Sequence, residues 1–189
     1  MKRATLGLVP PLAVRATMTD DAEALARIAR GEIAGLAELY DRHAPALLRF
    51  AARLCGSSDA DDIVQTTFER AARAAATFDH RSTSARSWLF GIAARVAKER
   101  RRSTVRFARA MFRLDTRGTH VPSGEARSDL QKGLARLSEA KRVVLLLAEV
   151  EGFTCEEIAV VLDVPVGTVW TRLHHARREM REFFEEIAK

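Results

Sequence analysis

The sequence predicts an all-α protein built as two small helical domains joined by a flexible linker. Three observations lead there. Apolar residues recur at three- and four-residue spacing through most of the chain, no run alternates β-branched with polar residues, and Gly and Pro are few while Ala is abundant. The periodicity lapses only between Ser103 and Arg127, where Gly118, Pro122, Ser123 and Gly124 gather. The expected organisation is a flexible lead-in over 1–19, a first domain over 20–103, a basic linker over 104–126 and a second domain over 127–189. At 189 residues and 47% apolar content the chain can build cores of its own, small but viable in each half.

Taken in order, Asp20 to Arg30 reads as a short helix, with Asp20, Asp21 and Glu23 in the first turn where the helix dipole favours them and Gly31 at its end. Ile33 to Leu54 is a longer helix whose apolar face runs Ile33, Leu36, Leu39, Tyr40, then past Pro45 to Leu47, Leu48, Ala51 and Leu54. Cys55-Gly56-Ser57 ends it, and Ser58 is the expected cap of a third helix. There Ala60, Ile63, Val64, Phe68, Ala71, Ala72 and Ala75 fall on one side, and Asp61, Asp62, Gln65, Thr66, Glu69 and Arg73 on the other. The dipole accounts for Asp59 and Asp61, but Gln65 and Glu69 extend the polar face past the first turn. That face suits a protein partner or plain solvation.

After a polar loop, Phe78 to Thr83, Ser84 is the expected cap of a fourth helix with the stripe Trp88, Leu89, Ile92, Ala93 and Val96. Arg86, Arg95, Lys98 and Arg102 lie off that stripe. Trp88 reads as core, with base stacking on a single-strand platform as the alternative. Arg95 to Arg117 carries nine Lys or Arg against Glu99 and Asp115, a local surplus of +7 beside a net charge of +6, so the rest of the chain is close to neutral. That surplus and a pI near 10.0 favour a polyanionic partner.

In the second domain Leu130 to Leu137 forms the opening helix, Ser138 caps Glu139 to Val150, and Gly152 stops it. Thr154 and Glu157 have capping-box spacing ahead of Ile158, Ala159 and Leu162. Pro165 bends the chain and its fixed φ suits the first turn of a new helix. In that helix Val166, Val169, Leu173 and Ala176 face inward, leaving Thr168, Trp170, Thr171, Arg172, His174, His175, Arg177 and Arg178 outward. A capped helix, a proline turn and a basic second helix make a helix-turn-helix, whose exposed hydroxyls, imidazoles and arginines suit a groove walled by phosphates.

Catalysis lacks support. His174 and His175 are adjacent on one helix and point apart, His43, His80 and His120 have no ligand partner nearby in sequence, and no phosphate-cradling glycine loop exists. Cys55 and Cys155 match no metal spacing and read as reduced thiols of a cytosolic protein. No metal, cofactor or membrane insertion is expected.

Two separated stretches carry a family likeness. Leu39-Tyr40, Asp59-Ala60-Asp61-Asp62-Ile63-Val64-Gln65-Thr66-Thr67-Phe68 and Ser87-Trp88-Leu89-Phe90-Gly91-Ile92-Ala93 resemble the sigma-2 domain of extracytoplasmic-function sigma factors. Leu137-Ser138, Glu157-Ile158-Ala159 and Pro165-Val166-Gly167-Thr168-Val169 resemble their sigma-4 domain. The resemblance implies a non-enzymatic specificity subunit of bacterial RNA polymerase. It places Asp59, Asp61, Asp62, Gln65 and Glu69 against the clamp helices of the largest polymerase subunit. It gives Arg81, Arg86, Ser87, Trp88, Arg95 and Lys98 the capture and melting of the minus-10 element, and Thr168, Trp170, Thr171, Arg172, His174, His175, Arg177 and Arg178 the minus-35 duplex. An anti-sigma partner is frequent in the family. This chain departs from the pattern at Ala94-Arg95, where Arg-Asn is common, and at Trp170-Thr171, where a basic residue and serine are usual, so promoter sequence is not carried over. The alternative is a helix-turn-helix regulator that does not replace a sigma factor.

Overall fold

The computed structural model describes the backbone over 12–79, 83–114 and 128–188 and side chains over 20–79, 83–103 and 128–188. The described residues form helices and connecting turns, with no strand among them. Four helices make an N-terminal bundle: α1 (Leu12–Ala29), α2 (Ile33–Cys55), α3 (Ser57–Ala74) and α4 (Ala85–Leu114), with a 3₁₀ turn at Ala75–Thr77. A C-terminal bundle follows: α5 (Asp129–Arg136), α6 (Glu139–Leu145) continuing as a π turn over Leu146–Val150, α7 (Cys155–Leu162) and α8 (Val166–Ile187).

Part of the periodic face read from sequence builds the N-terminal core, joined by Leu25, Phe50 and Phe90, which that face did not include, whereas Tyr40 is 45% exposed. Leu25, Leu39, Leu47, Phe50, Ile63, Val64, Leu89 and Phe90 are fully buried, with the Phe50 and Phe90 rings edge to face at 5.2 Å. Local signals differ in detail. Helix α1 starts at Leu12 rather than Asp20, so Asp20, Asp21 and Glu23 are interior residues and not a dipole-complementing first turn. Asp21 is instead buried, accepting from His43 Nε2 at 2.9 Å and pairing with Arg42. Ile33 is 82% exposed and outside the core. Ser58 is not a cap; Gly56, at φ 103°, takes that position for α3 with no side-chain bond, and it ends α2 as well. Ser84 does cap α4, its Oγ accepting from the Ser87 amide at 3.0 Å. The backbone of α4 runs to Leu114, so the first part of the expected basic linker is helical; the remainder, 115–126, lies outside the described residues.

Close approach of α1 and α2 depends on Gly35, where a Cβ would lie 2.5 Å from the Ala24 carbonyl oxygen. Gly35→Ala is therefore expected to lose about 2 kcal/mol of stability in urea unfolding, because overpacking against main chain outweighs the roughly 1 kcal/mol of helix propensity that alanine brings. Gly167→Ala, which meets nothing within 4 Å, provides the contrast and should not destabilise.

Helix α4 is buried on more of its surface than one amphipathic stripe. Phe90, Gly91 and Ala94 are buried as well, because the C-terminal bundle covers a second side of the helix. Phe90 meets Phe153 edge to face at 5.4 Å, and Gly91 lets the Val161 main chain approach.

Candidate nucleic-acid interface

The α7–α8 corner follows from its caps. Gly152, at φ 73°, breaks the preceding helix and Phe153 plugs into the core. The Thr154 amide donates to Glu157 Oε2 at 2.8 Å and the Glu157 amide to Thr154 Oγ1 at 3.2 Å, the expected capping box. At the far end Asp163 takes a left-handed conformation, φ 53°, and the Val164 amide closes on the Ala159 carbonyl at 3.0 Å. Pro165 then sits at the N-cap of α8, its carbonyl accepting from the Thr168 amide at 2.9 Å. Ile158 and Val161 are the buried residues of α7, whereas Ala159 and Leu162 are only partly covered.

Val169, Leu173 and Ala176 of α8 are buried as expected, together with Met180 and Phe183. Val166 is not; it is exposed at the mouth of the turn, a position before the helix has made one full revolution onto the core. Among the outward residues, Trp170 is 56% exposed, Thr171, His174, Arg177 and Arg178 are exposed, and Thr168, Arg172 and His175 are half-buried. Thr171 donates its hydroxyl to the Gly167 carbonyl at 2.9 Å. Arg177 is held by Glu149 at 2.5 Å and Arg178 by Glu182 at 3.6 Å. These are exposed pairs, weak enough for a phosphate to exchange for the carboxylate.

On α4 the residues expected to meet single-stranded DNA are less uniform. Arg81 lies outside the described residues. Ser87 is buried, its hydroxyl 2.8 Å from that of Ser84. Trp88 is half-buried, its ring 5.1 Å from that of Phe78. Arg95 and Lys98 are exposed on one side of the helix. Arg86 points into the joint between bundles, where it meets Glu151.

On α3, Asp61, Asp62, Gln65 and Glu69 are exposed and Asp59 half-buried. Gln65 donates to Glu69 at 3.1 Å, and Asp62 pairs with Arg100 at 2.8 Å. One turn further round, Arg70 binds both oxygens of Glu99 and holds that carboxyl below its ordinary value.

One juxtaposition was not legible in sequence. Arg95, Lys98 and Arg102 of α4 and Arg172 of α8 line a single cleft of about 330 Å³, floored by Ala94, Val143, Leu162 and Val164, with Glu139 the carboxylate at its edge. Two residues with no signal in the sequence, Glu151 and Arg142, make hydrogen bonds between the bundles, to Arg86 and to the Leu54 carbonyl. Among the described residues no three His, Cys, Asp or Glu gather as a metal site, and no helix is long and apolar enough to cross a membrane. Burial pushes the Cys55 thiol up, away from the reactive thiolate.

Comparison with known proteins gives two family matches, Sigma-70 region 2 over residues 39–107 and Sigma-70, region 4 over residues 127–180. The ECF RNA polymerase sigma factor SigL of Mycobacterium tuberculosis is 35% identical over 167 residues, covering 84% of this chain and 94% of that protein. The ECF RNA polymerase sigma factor SigW of Bacillus subtilis is 26% identical, covering 85% of this chain and 95% of that protein. Among solved structures, CnrH in complex with the cytosolic domain of CnrY aligns with a TM-score of 0.66 at 26% identity, covering 88% of this chain and 98% of that one.

Proposed function

This chain belongs to the extracytoplasmic-function sigma factors of the sigma-70 family, transcription initiation factors that bind core RNA polymerase and direct it to promoters, and on that footing we propose which of its surfaces meet each partner. The exposed carboxylates and amide of α3, from Asp59 to Glu69, face the polymerase clamp. Arg86, Trp88, Arg95 and Lys98 on α4, with Arg81 in the preceding loop, take the parted strand of the minus-10 element, and Ser87 positions the start of that helix. Thr168 to Arg178 on α8 reads the minus-35 duplex. The observation that carries this reading is the sorting of charge by helix: α3 presents an acidic, α4 and α8 a basic outer face, each on its own rigid element.

The mechanism is differential binding, with no bond made or broken by this chain. Lysines and arginines on phosphates supply sequence-independent affinity and register, and side chains reaching base edges supply choice. Bases held unstacked on the α4 side favour the melted promoter over the closed duplex. CnrH, solved in complex with the cytosolic domain of CnrY, supports a protein partner here as well, of the anti-sigma kind.

Initiation by purified core polymerase on a genomic fragment library tests the reading. Transcripts should start at defined sites only when this chain is added; an activator would need a resident sigma factor as well. Within α8, Arg172→Ala should weaken duplex binding about equally across sequences and flatten its salt dependence by about one counterion, whereas His175→Ala should change the selected motif. An unchanged motif for His175→Ala removes base reading from that residue.

A further inference from the structure

The cleft lined by α4 and α8 gathers charge that the fold leaves unmatched. Arg95, Lys98 and Arg102 stand three and four residues apart on one face of α4, and Arg172 of α8 adds a fourth cation to the same opening. Like charges at these spacings weaken a helix, so α4 carries this face at a small cost to its own stability. None of the four makes a salt bridge among the described residues, and Glu139, the carboxylate at the edge, is turned to Arg101 at 3.8 Å. Arg95 donates from Nη2 to the Val161 carbonyl at 3.3 Å, which holds the guanidinium at the wall, and a guanidinium has further donors to offer. Arg95, Lys98 and Arg102 are exposed and Arg172 is half-buried, so the charges border a cavity open to solvent.

Beneath the cations lies apolar surface. Leu162 and Val164, on either side of the turn that ends α7, are only partly covered, and buried Val143 lies with them in the floor. Convergent cations over an apolar floor, in a cavity of about 330 Å³, have the make-up of a small-ligand pocket. A double helix is too broad to enter it. The ligand that fits is a compact anion of several charges joined to a flat ring.

We propose that this cleft binds a nucleoside triphosphate, with the base against Leu162 and Val164 and the phosphates among Arg95, Lys98, Arg102 and Arg172. A triphosphate bunches its charges in one short run of phosphoryl groups. That suits four cations around one opening better than a nucleic-acid strand, which carries one charge per nucleotide. The site stands on the cleft alone, whichever DNA those side chains meet.

Fluorescence anisotropy of GTP carrying an N-methylanthraniloyl group, with the full-length chain at about 0.15 M salt, tests it. Unlabelled GTP or ATP should displace the probe, inorganic triphosphate should need about tenfold more, and the nucleoside alone should not compete. Arg102→Ala and Ala140→Glu change exposed residues of the cleft that belong to no proposed DNA or polymerase contact. Each should weaken binding about tenfold, the second by adding a carboxylate to the rim, whereas Glu139→Gln should tighten it about threefold. Arg181→Ala, an equal loss of charge on α8 outside the cleft, should leave affinity unchanged. Thermal unfolding like that of the wild type shows that each variant keeps its fold. Absence of displaceable binding to the wild type, or equal losses in Arg102→Ala and Arg181→Ala, overturns the site. Inorganic triphosphate competing as well as GTP overturns the seat of the base, and a short single strand competing better than GTP makes the cleft part of a strand path instead.

Discussion

Gln65→Arg is expected to leave the chain folded and to lower its affinity for core RNA polymerase by about a hundredfold or more, roughly 3 kcal/mol. The residue is exposed in the middle of the acidic face, between Asp61 and Asp62 on one turn and Glu69 on the next. A new guanidinium there neutralises the Glu69 carboxylate four residues on and projects a cation into a surface whose charge must complement its partner. Burying an unmatched charge in an interface costs 2–5 kcal/mol or so, whereas an exposed helical Gln→Arg change alters folding by no more than about 0.5 kcal/mol. Asp62→Arg should act in the same direction but also breaks the 2.8 Å pair with Arg100, so Gln65→Arg is the cleaner test. Binding to immobilised core enzyme, with thermal unfolding as the control, measures both quantities. Wild-type retention of the variant on the polymerase would move the contact off α3.

What sequence disclosed, and what it did not, divides along one physical line. The helices and their core faces came from periodicity, and the α7–α8 corner came from Thr154, Glu157 and Pro165, because caps and turns act within four residues of sequence. Contacts between distant elements leave no such mark. Asp21 has the look of a first-turn acid until α1 is seen to begin at Leu12, and its partner His43 is one helix away. Phe90 looks like a residue beside the stripe of α4, yet Phe153 buries it from the other bundle. Arg86 and Arg95 carry the right chemistry for DNA, but nothing near them in sequence indicates their bonds to Glu151 and to the Val161 carbonyl. The candidate site was legible as residue types on helix faces; the pairing of Arg86 with Glu151 from the other bundle was not.

Arg142→Ala is expected to lower the stability of the folded chain by about 3 kcal/mol, moving its urea midpoint by about 1–2 M. Arg142 is buried and pairs with no carboxylate among the described residues; its guanidinium donates to the carbonyls of Leu54 at 3.0 Å, Ala135 at 3.2 Å and Leu137 at 3.1 Å. Burial lowers its pKa below that of a free arginine, and the Arg101 charge lowers it further, yet a guanidinium stays protonated. Removing it strands three carbonyls at the ends of α2 and α5, each costing about 1–3 kcal/mol if left dry. The cleft of about 120 Å³ beside it, lined also by Cys55 and Gln131, admits water to part of the gap, so the total falls well below the sum. Its neighbour in sequence gives the contrast. Lys141 pairs with Glu179 at 2.5 Å but both side chains are about a third exposed, so Lys141→Ala should cost less than about 1 kcal/mol. Because Leu54 belongs to the N-terminal bundle, the loss at position 142 should also uncouple the halves. With Trp170→Phe as background, Trp88 reports the N-terminal bundle alone, and its transition should separate from that of overall helicity in Arg142→Ala but coincide with it when Arg142 is present. Coincident transitions in both chains would mean that Arg142 stabilises only the bundle it belongs to, and that the bond to Leu54 contributes little to holding the two together.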